Sequence, residues 1–418
     1  MKLRIGVVGA CFAREFIPLF QAHPGVEKVA LAELVPERLS EAAKQFGITD
    51  TYPSFDDMMK NGRDLNCVAI FTSRYMHGPM VIRALREGKH VYSAVPIALT
   101  VDEIGEILEL LKKTRLMYMM GETCYYYPCA MFCREMYRAG RFGEFVYAEA
   151  QYYHDMAHGF YAGFARGYKA FETEEGGQGW KRVAGVPPML YPTHSVGMVL
   201  SALDAYAVKV SCYGYRDRVD PDIFGEDANN WSNPFSNETA IMQLNNGGIC
   251  RINEYRRIGW RKPSSHVQCL YGTKGGYEGS TGRYVMVDEL GDRAILTDVS
   301  DRINPYGYVI EKHDPAALQK MVNGGYHNDL SEVQFEKAKT MPVEFQGLKN
   351  GHMGTHKFLV DDFVRATLTG KLPPCHAWAS ARYMLPGIIA HESAMRDGES
   401  LPVPDFGDPP ADWDMLIK

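Results

Sequence analysis

Leu3 to Val8 form a short, mostly apolar run that breaks at Gly9 into a turn of small residues. A run of that kind reads as a strand buried on both faces of a parallel sheet. A second apolar strand ends at Glu33. A strand feeding a turn that opens a helix aims helical N–H groups at a pyrophosphate, and an acid after the next strand meets a ribose. A nicotinamide dinucleotide is therefore the expected ligand. The fingerprint is broken, however. The turn reads Gly9-Ala10-Cys11-Phe12-Ala13-Arg14, with Cys11 where a second glycine admits the phosphates and only Ala13 left as a small residue beyond it. An ordinary strand-to-helix turn is the competing reading. Glu33 would accept both ribose hydroxyls and repel a 2′-phosphate, which favours NAD over NADP; Arg38 is the counter-argument. Pro36 and Gly47 bracket the following helix, whose apolar stripe is Leu39, Ala42, Ala43 and Phe46.

The chain has 418 residues, which suits two domains better than one core. A net charge of −6 without a basic run argues against nucleic acid. The first strand begins at once, leaving no room for a secretory leader, and no apolar stretch approaches the ~20 residues of a membrane helix. A cytoplasmic protein is expected. Its nine cysteines include no Cys-x-x-Cys pair, so neither a disulfide framework nor a metal site is expected. Cys124, Cys129 and Cys133 read as buried thiols.

Short apolar strands and amphipathic helices alternate up to Glu122: Cys67–Phe71, a helix over 79–87, Lys89–Tyr92, a helix capped by Thr100 and Glu103, and Leu116–Met120. This is the pattern of a doubly wound parallel sheet. Beyond it come a helix after Pro128 and strand candidates Glu144–Tyr153, Ala207–Tyr215, Thr239–Leu244, Ile249–Tyr255, His266–Tyr271 and Arg283–Val287. Asn245-Asn246-Gly247-Gly248 marks a hairpin. The fold class is α/β, with domains at 1–122 and 123–418, the second α+β with a large, mainly antiparallel sheet. Between His154 and Tyr191 lies a glycine-rich stretch of little periodicity, expected to cover a substrate.

Several ordered segments are similar to the Gfo/Idh/MocA oxidoreductases. They are Thr72-Ser73-Arg74-Tyr75-Met76-His77-Gly78-Pro79, Gly88-Lys89-His90-Val91, Asn233-Pro234-Phe235, Gly272-Thr273-Lys274-Gly275 and Val403-Pro404-Asp405-Phe406. The resemblance implies a Rossmann domain carrying NAD(P) and a second domain whose sheet forms the substrate wall and often an oligomer interface, here a dimer or tetramer. Gly9, Ala10, Cys11, Phe12, Ala13, Glu33, Thr72, Ser73, His77 and Pro96 become the expected cofactor contacts. One departure matters: the family places Glu-Lys-Pro after its fifth strand, and this chain has Ala94-Val95-Pro96. The lysine that handles the substrate proton and supplies a positive charge is gone.

A branch that also lacks it is the NAD-dependent α-N-acetylgalactosaminidases. Gly121-Glu122-Thr123-Cys124-Tyr125, Tyr152-Tyr153-His154-Asp155 and Tyr191-Pro192-Thr193-His194 resemble that branch. The resemblance implies Glu122, Tyr152, His154, Tyr191 and His194 as catalytic residues. Ala94 departs from a glutamate common there, and Arg261-Lys262-Pro263-Ser264 lacks an expected tyrosine. The implied chemistry is transient oxidation at carbon 3 of a sugar, elimination, hydration and return of the hydride, which amounts to hydrolysis. His194 would take the hydroxyl proton, Tyr191 would orient it, and Tyr152 would be the carbon-acid base. On a strand, Tyr152 and His154 share one face. Competing readings stay open: Tyr152 and His154 as packed strand residues, Thr193 as a helix cap, His77 as a contact near the cofactor, and His352 and His356 as capping residues. An ordinary sugar or polyol dehydrogenase and a non-catalytic NAD-bound protein are the alternative functions.

Overall fold

Six short strands align in parallel: β1 (Leu3–Val8), β2 (Val26–Ala32), β3 (Thr51–Tyr52), β4 (Cys67–Ile70), β5 (His90–Ser93) and β6 (Tyr118–Met120). Their order is β3-β2-β1-β4-β5-β6. The computed structural model describes residues 2–155, 179–258, 266–280, 284–290, 293–303 and 330–416. β4 is buried at every residue, as expected of a strand covered by helices on both faces. Chain direction across the sheet reverses between β1 and β4, which opens a crevice at the carboxyl ends of the strands. The Thr100 hydroxyl accepts the Glu103 N–H at 3.2 Å, a cap that contributes about 1 kcal/mol.

The turn after β1 differs from expectation. A 3-10 turn, Phe12–Glu15, precedes a short helix, Ile17–Ala22. Pro18 has no N–H to give to the carbonyl of Arg14, so one regular helix cannot run through both.

The second sheet has nine strands: β7 (Phe145–Tyr153), β8 (Ala207–Arg216), β9 (Phe235–Leu244), β10 (Ile249–Tyr255), β11 (His266–Gly272), β12 (Gly275–Glu278), β13 (Val285–Leu290), β14 (Arg293–Asp298) and β15 (Leu401–Pro402). They run β14-β13-β12-β11-β7-β10-β9-β8-β15. All pairs are antiparallel except β7 with β10. The hairpin at Asn245–Gly248 joins β9 to β10, with Gly247 at φ +86. β12, β14 and β15 went unread because two are very short and β14 is exposed throughout, without alternation. One face of this sheet packs on the helix Thr193–Leu203, which is buried almost all round. Val146, Tyr213, Ile241 and Ile249 stand exposed on the sheet's strands.

The C-terminal helices return to the first sheet. Phe363, in the helix His356–Thr369, meets the edges of Phe20 and Tyr92, and the Met120 N–H donates to the Cys375 carbonyl at 3.0 Å. The long helix Ala377–Met395 packs between the two sheets' ends, touching β6 and β8. All nine cysteines are free and eight are buried, Cys11 being the exception. Among the described residues no helix is long and apolar enough to cross a membrane. Residues 156–178 of the glycine-rich stretch, and Arg261 to Ser264, lie outside the described residues.

Candidate active site

The carboxyl ends of β1, β2, β4, β5 and β6 open into one cavity of about 910 Å³. That is at the upper end of ordinary small-molecule sites, about 300–1,000 Å³. Gly9, Ala10, Cys11, Phe12, Glu33, Thr72, Ser73 and His77 all line it. Gly9 has φ +90, and a Cβ there would lie 2.8 Å from the Phe71 carbonyl oxygen, so only glycine lets β1 turn this closely past β4. Glu33 accepts the Ala10 N–H at 2.8 Å and the Val35 N–H at 3.0 Å. Its carboxylate fixes the turn while still facing the cavity. The cradle thus fits a dinucleotide: a tight glycine turn, a wall free of large side chains at Ala10 and Cys11, and an acid at the end of β2. Two expected contacts lie elsewhere. Ala13 is wholly buried in the core, and Pro96 is outside the lining, its carbonyl 2.8 Å from His77 Nδ1. The other His77 nitrogen faces the Thr72 carbonyl at 3.1 Å. Burial holds the His77 pKa down, so the ring acts as a neutral strut between the β4 and β5 loops.

At the far end of the same cavity stand His154, Tyr191 and His194. His194 occupies the first turn of the helix Thr193–Leu203, which Pro192 caps without a side-chain bond, so Thr193 is not its cap. His194 Nδ1 lies 2.6 Å from Glu122 Oε1. Burial opposes ionisation of Glu122, but His194, Thr193 and the Cys124 amide outweigh it and hold the carboxyl below its ordinary pKa. An ionised carboxylate can only accept, so Nδ1 carries the proton and Nε2 is left as the second ring nitrogen, able to exchange one. Glu122 itself is fully buried behind His194 and works through it.

Tyr152, near the end of β7, places its Oη 2.6 Å from His154 Nδ1. The shared face expected of these two holds, although β7 ends at Tyr153. Burial pushes the Tyr152 phenol far above its usual pKa, and burial with Arg256 and Arg74 pulls His154 down to about 3. The phenol therefore donates to a neutral imidazole. Tyr152 is stacked on His266 (4.5 Å between centroids) and lies edge-on to His194 (5.2 Å).

Residues 3–122 match the family model described as the Gfo/Idh/MocA "Oxidoreductase family, NAD-binding Rossmann fold". That match spans the first part of the chain, which is thereby a Gfo/Idh/MocA-type NAD-binding Rossmann domain. A "Glycosyl hydrolase family 109 protein" of Streptomyces filamentosus is 24% identical over 431 aligned positions, covering 97% of this chain and 77% of that protein. An "Alpha-N-acetylgalactosaminidase" of Bacteroides fragilis is 33% identical over 189 positions, 44% of this chain and 43% of its own length. Levoglucosan dehydrogenase in complex with NADH superposes with a TM-score of 0.70 at 17% identity, over 97% of this chain and 100% of that one, and so shares the fold.

Beside the Glu-Lys-Pro of the Gfo/Idh/MocA resemblance, the chain is unusual where β5 ends. Ala94 and Val95 line the cavity there and offer neither proton nor charge. Basic groups to which the sequence reading gave no catalytic role stand nearby. Arg74 lies over the Tyr191 ring at 3.9 Å and Arg256 over the Tyr152 ring at 5.1 Å. His352 reaches the cavity wall from the C-terminal part, on left-handed backbone at φ 47, with Met353 alike at φ 56. The sequence reading had His352 as a residue that caps the following helix. His356, by contrast, is buried against Phe16. Arg251 and Asn253 pair with Glu149 and Gln151 within the sheet and do not line the cavity.

A metal was not expected, yet Cys124 Sγ and ring nitrogens of His194 and His266 lie within 4.8 Å of one another. Burial and the Glu122 charge push the Cys124 thiol well above its usual pKa.

Proposed function

We propose that this Gfo/Idh/MocA protein is an NAD-dependent enzyme acting on a sugar or glycoside, and that it cleaves a glycosidic bond with no net change of redox state. The observation that carries this reading is one cavity lined at one end by the glycine turn and Glu33 and at the other by His154, Tyr191 and His194. NAD, when bound, supplies the acceptor and later donor of a hydride at a sugar carbon. His194 Nε2 takes the hydroxyl proton at that carbon, with Glu122 holding the imidazolium so formed through Nδ1. Tyr191, edge-on to His194 at 5.2 Å, orients the same hydroxyl. Tyr152 Oη removes the neighbouring carbon-bound proton as its own proton passes to His154 Nδ1. Each positioned proton transfer is worth about 10²–10⁴ in rate. The matched relatives named for glycoside hydrolysis support this reading.

The purified protein should retain nicotinamide, release aglycone from a glycoside without added cofactor, and place solvent deuterium at carbon 2. Stoichiometric NADH accumulation with no aglycone would reject it. A plain sugar dehydrogenase is the second reading, favoured by the strong upward push on the Tyr152 phenol, since that reaction needs only His194 and Tyr191.

We also infer the division of the chain at 1–122 and 123–418, a cytoplasmic site of action, and a dimer or tetramer formed through the second sheet. The exposed Tyr213, Val146 and Ile241 on its strands support self-association. Gel filtration with light scattering tests it.

A further inference from the structure

The cavity has lost the lysine that its resemblance implies, yet it holds a guanidinium laid on the phenol ring of Tyr191. Arg74 begins the 3-10 turn Arg74–Met76, directly after β4, and its Cζ lies 3.9 Å from the Tyr191 ring centroid. Both residues line the cavity. Tyr191 follows the 3-10 turn Pro188–Leu190, on the opposite wall. Arg74 comes from the loop after β4 and Tyr191 from the turn before the helix Thr193–Leu203, so the stacking ties the first sheet's loop to the second part of the chain.

We propose that Arg74 is a positioning residue that supplies, through the face of Tyr191, the positive charge missing at Val95. The proposal rests on reading this cavity as an acid–base site, whichever sugar reacts there. A cation on a ring face is attracted to the ring's electrons, and more strongly once the phenol has become phenolate. Arg74 therefore favours a Tyr191 that shares the hydroxyl proton with His194.

Other groups act on Tyr191 from each neighbouring element. Burial raises its pKa to about 12; Arg74 is the largest opposing influence, Arg256 lowers it further, and Glu122 and Cys124 raise it. His194 is edge-on and Tyr152 lies 6.1 Å away. Tyr152, whose nearest guanidinium is Arg256 at 5.1 Å, is pushed higher still. Burial is the main cause for both phenols, and Tyr191 itself pushes Tyr152 further up.

The test uses the full-length protein with difluorotyrosine installed at position 191, whose phenol ionises nearer neutrality and reports by fluorine NMR. Arg74→Met should raise the ionisation midpoint by about one pH unit or more, and Arg74→Lys by less. With natural Tyr191, kcat should fall more than KM rises in Arg74→Met, with partial rescue in Arg74→Lys. An unchanged midpoint in Arg74→Met overturns the proposal, as does a change confined to KM, which would make Arg74 a plain substrate contact. If Arg74→Met does not fold, Arg74→Gln is read by the same two criteria. The midpoint needs no substrate, so a failed glycosidase assay and a failed role for Arg74 are told apart.

Discussion

Glu122 Oε1 stands 2.6 Å from His194 Nδ1, with the carboxylate fully buried and the imidazole at the cavity wall. The pair fixes which ring nitrogen faces chemistry. Glu122→Gln removes the charge while keeping an acceptor for the Cys124 amide, so the fold should survive. Turnover should fall by about 10²-fold or more, with NAD still retained. Steady-state rates measured beside cofactor content check this, and wild-type rates in Glu122→Gln would remove His194 from the mechanism.

Tyr152 Oη and His154 Nδ1, 2.6 Å apart, are proposed to form a separate proton path. Tyr152→Phe should abolish solvent deuterium incorporation at carbon 2 while hydride loss from the sugar persists as a single-turnover rise in NADH. Mass spectrometry of recovered substrate reads the first, and near-ultraviolet absorbance the second. Deuterium uptake at the normal rate in Tyr152→Phe would falsify the assignment.

Gly9 is confined by the Phe71 carbonyl, 2.8 Å from where a Cβ would sit, and by φ +90. Gly9→Ala should cost at least about 1 kcal/mol of stability and displace the turn that carries Ala10 and Cys11. The expected result is a lower melting temperature together with loss of co-purified NAD. Full NAD retention in a destabilised Gly9→Ala would separate the turn from cofactor binding.

Acid should loosen the fold through histidines buried neutral. His376 caps the helix Ala377–Met395 and is pushed down to about 4 by burial, and His154 to about 3. A folded-state pKa below the unfolded value of about 6.5 gives stability that is complete above pH ~6.5 and lost as pH falls through the folded value. Glu254, raised by burial to about 7 although Arg256 donates to it at 2.9 Å, acts in the opposite sense: its contribution fades as pH rises from the ordinary carboxyl range toward 7. The difference between wild type and His376→Asn isolates the histidine, since asparagine can still cap the helix. Urea melts from pH 4 to pH 7.5 should show His376→Asn losing less stability on the acid side (pH values chosen to span the window of about 4–6.5). Parallel curves would show that His376 is not buried neutral.

Much of this architecture could be read from local pattern. Continuous apolar runs gave β1, β4, β5 and β6 to within a few residues, and Asn245 to Gly248 gave the β9–β10 hairpin. The candidate site was legible only as separate segments, because Glu122, Tyr152 and His194 meet through a strand end and a helix start that no spacing encodes. The placement of Arg74 and Arg256 was illegible for the same reason, and His352 was read as a helix cap and not as part of the cavity wall. An arginine reads as a solvated side chain until the ring it lies on is known. The left-handed backbone at His352 has no signature beyond two flanking glycines. β14 was missed because an exposed edge strand need not alternate.

Tyr152 sits in a central strand, opposite Glu254 of β10 on one side and His266 of β11 on the other. A residue clamped between two ladders cannot drift to suit a new substrate without unzipping both. Diversification of such a scaffold must therefore proceed at its margins, through turns such as Arg74–Met76 and Gly351–Gly354, while the phenol of Tyr152 stays where the weave holds it.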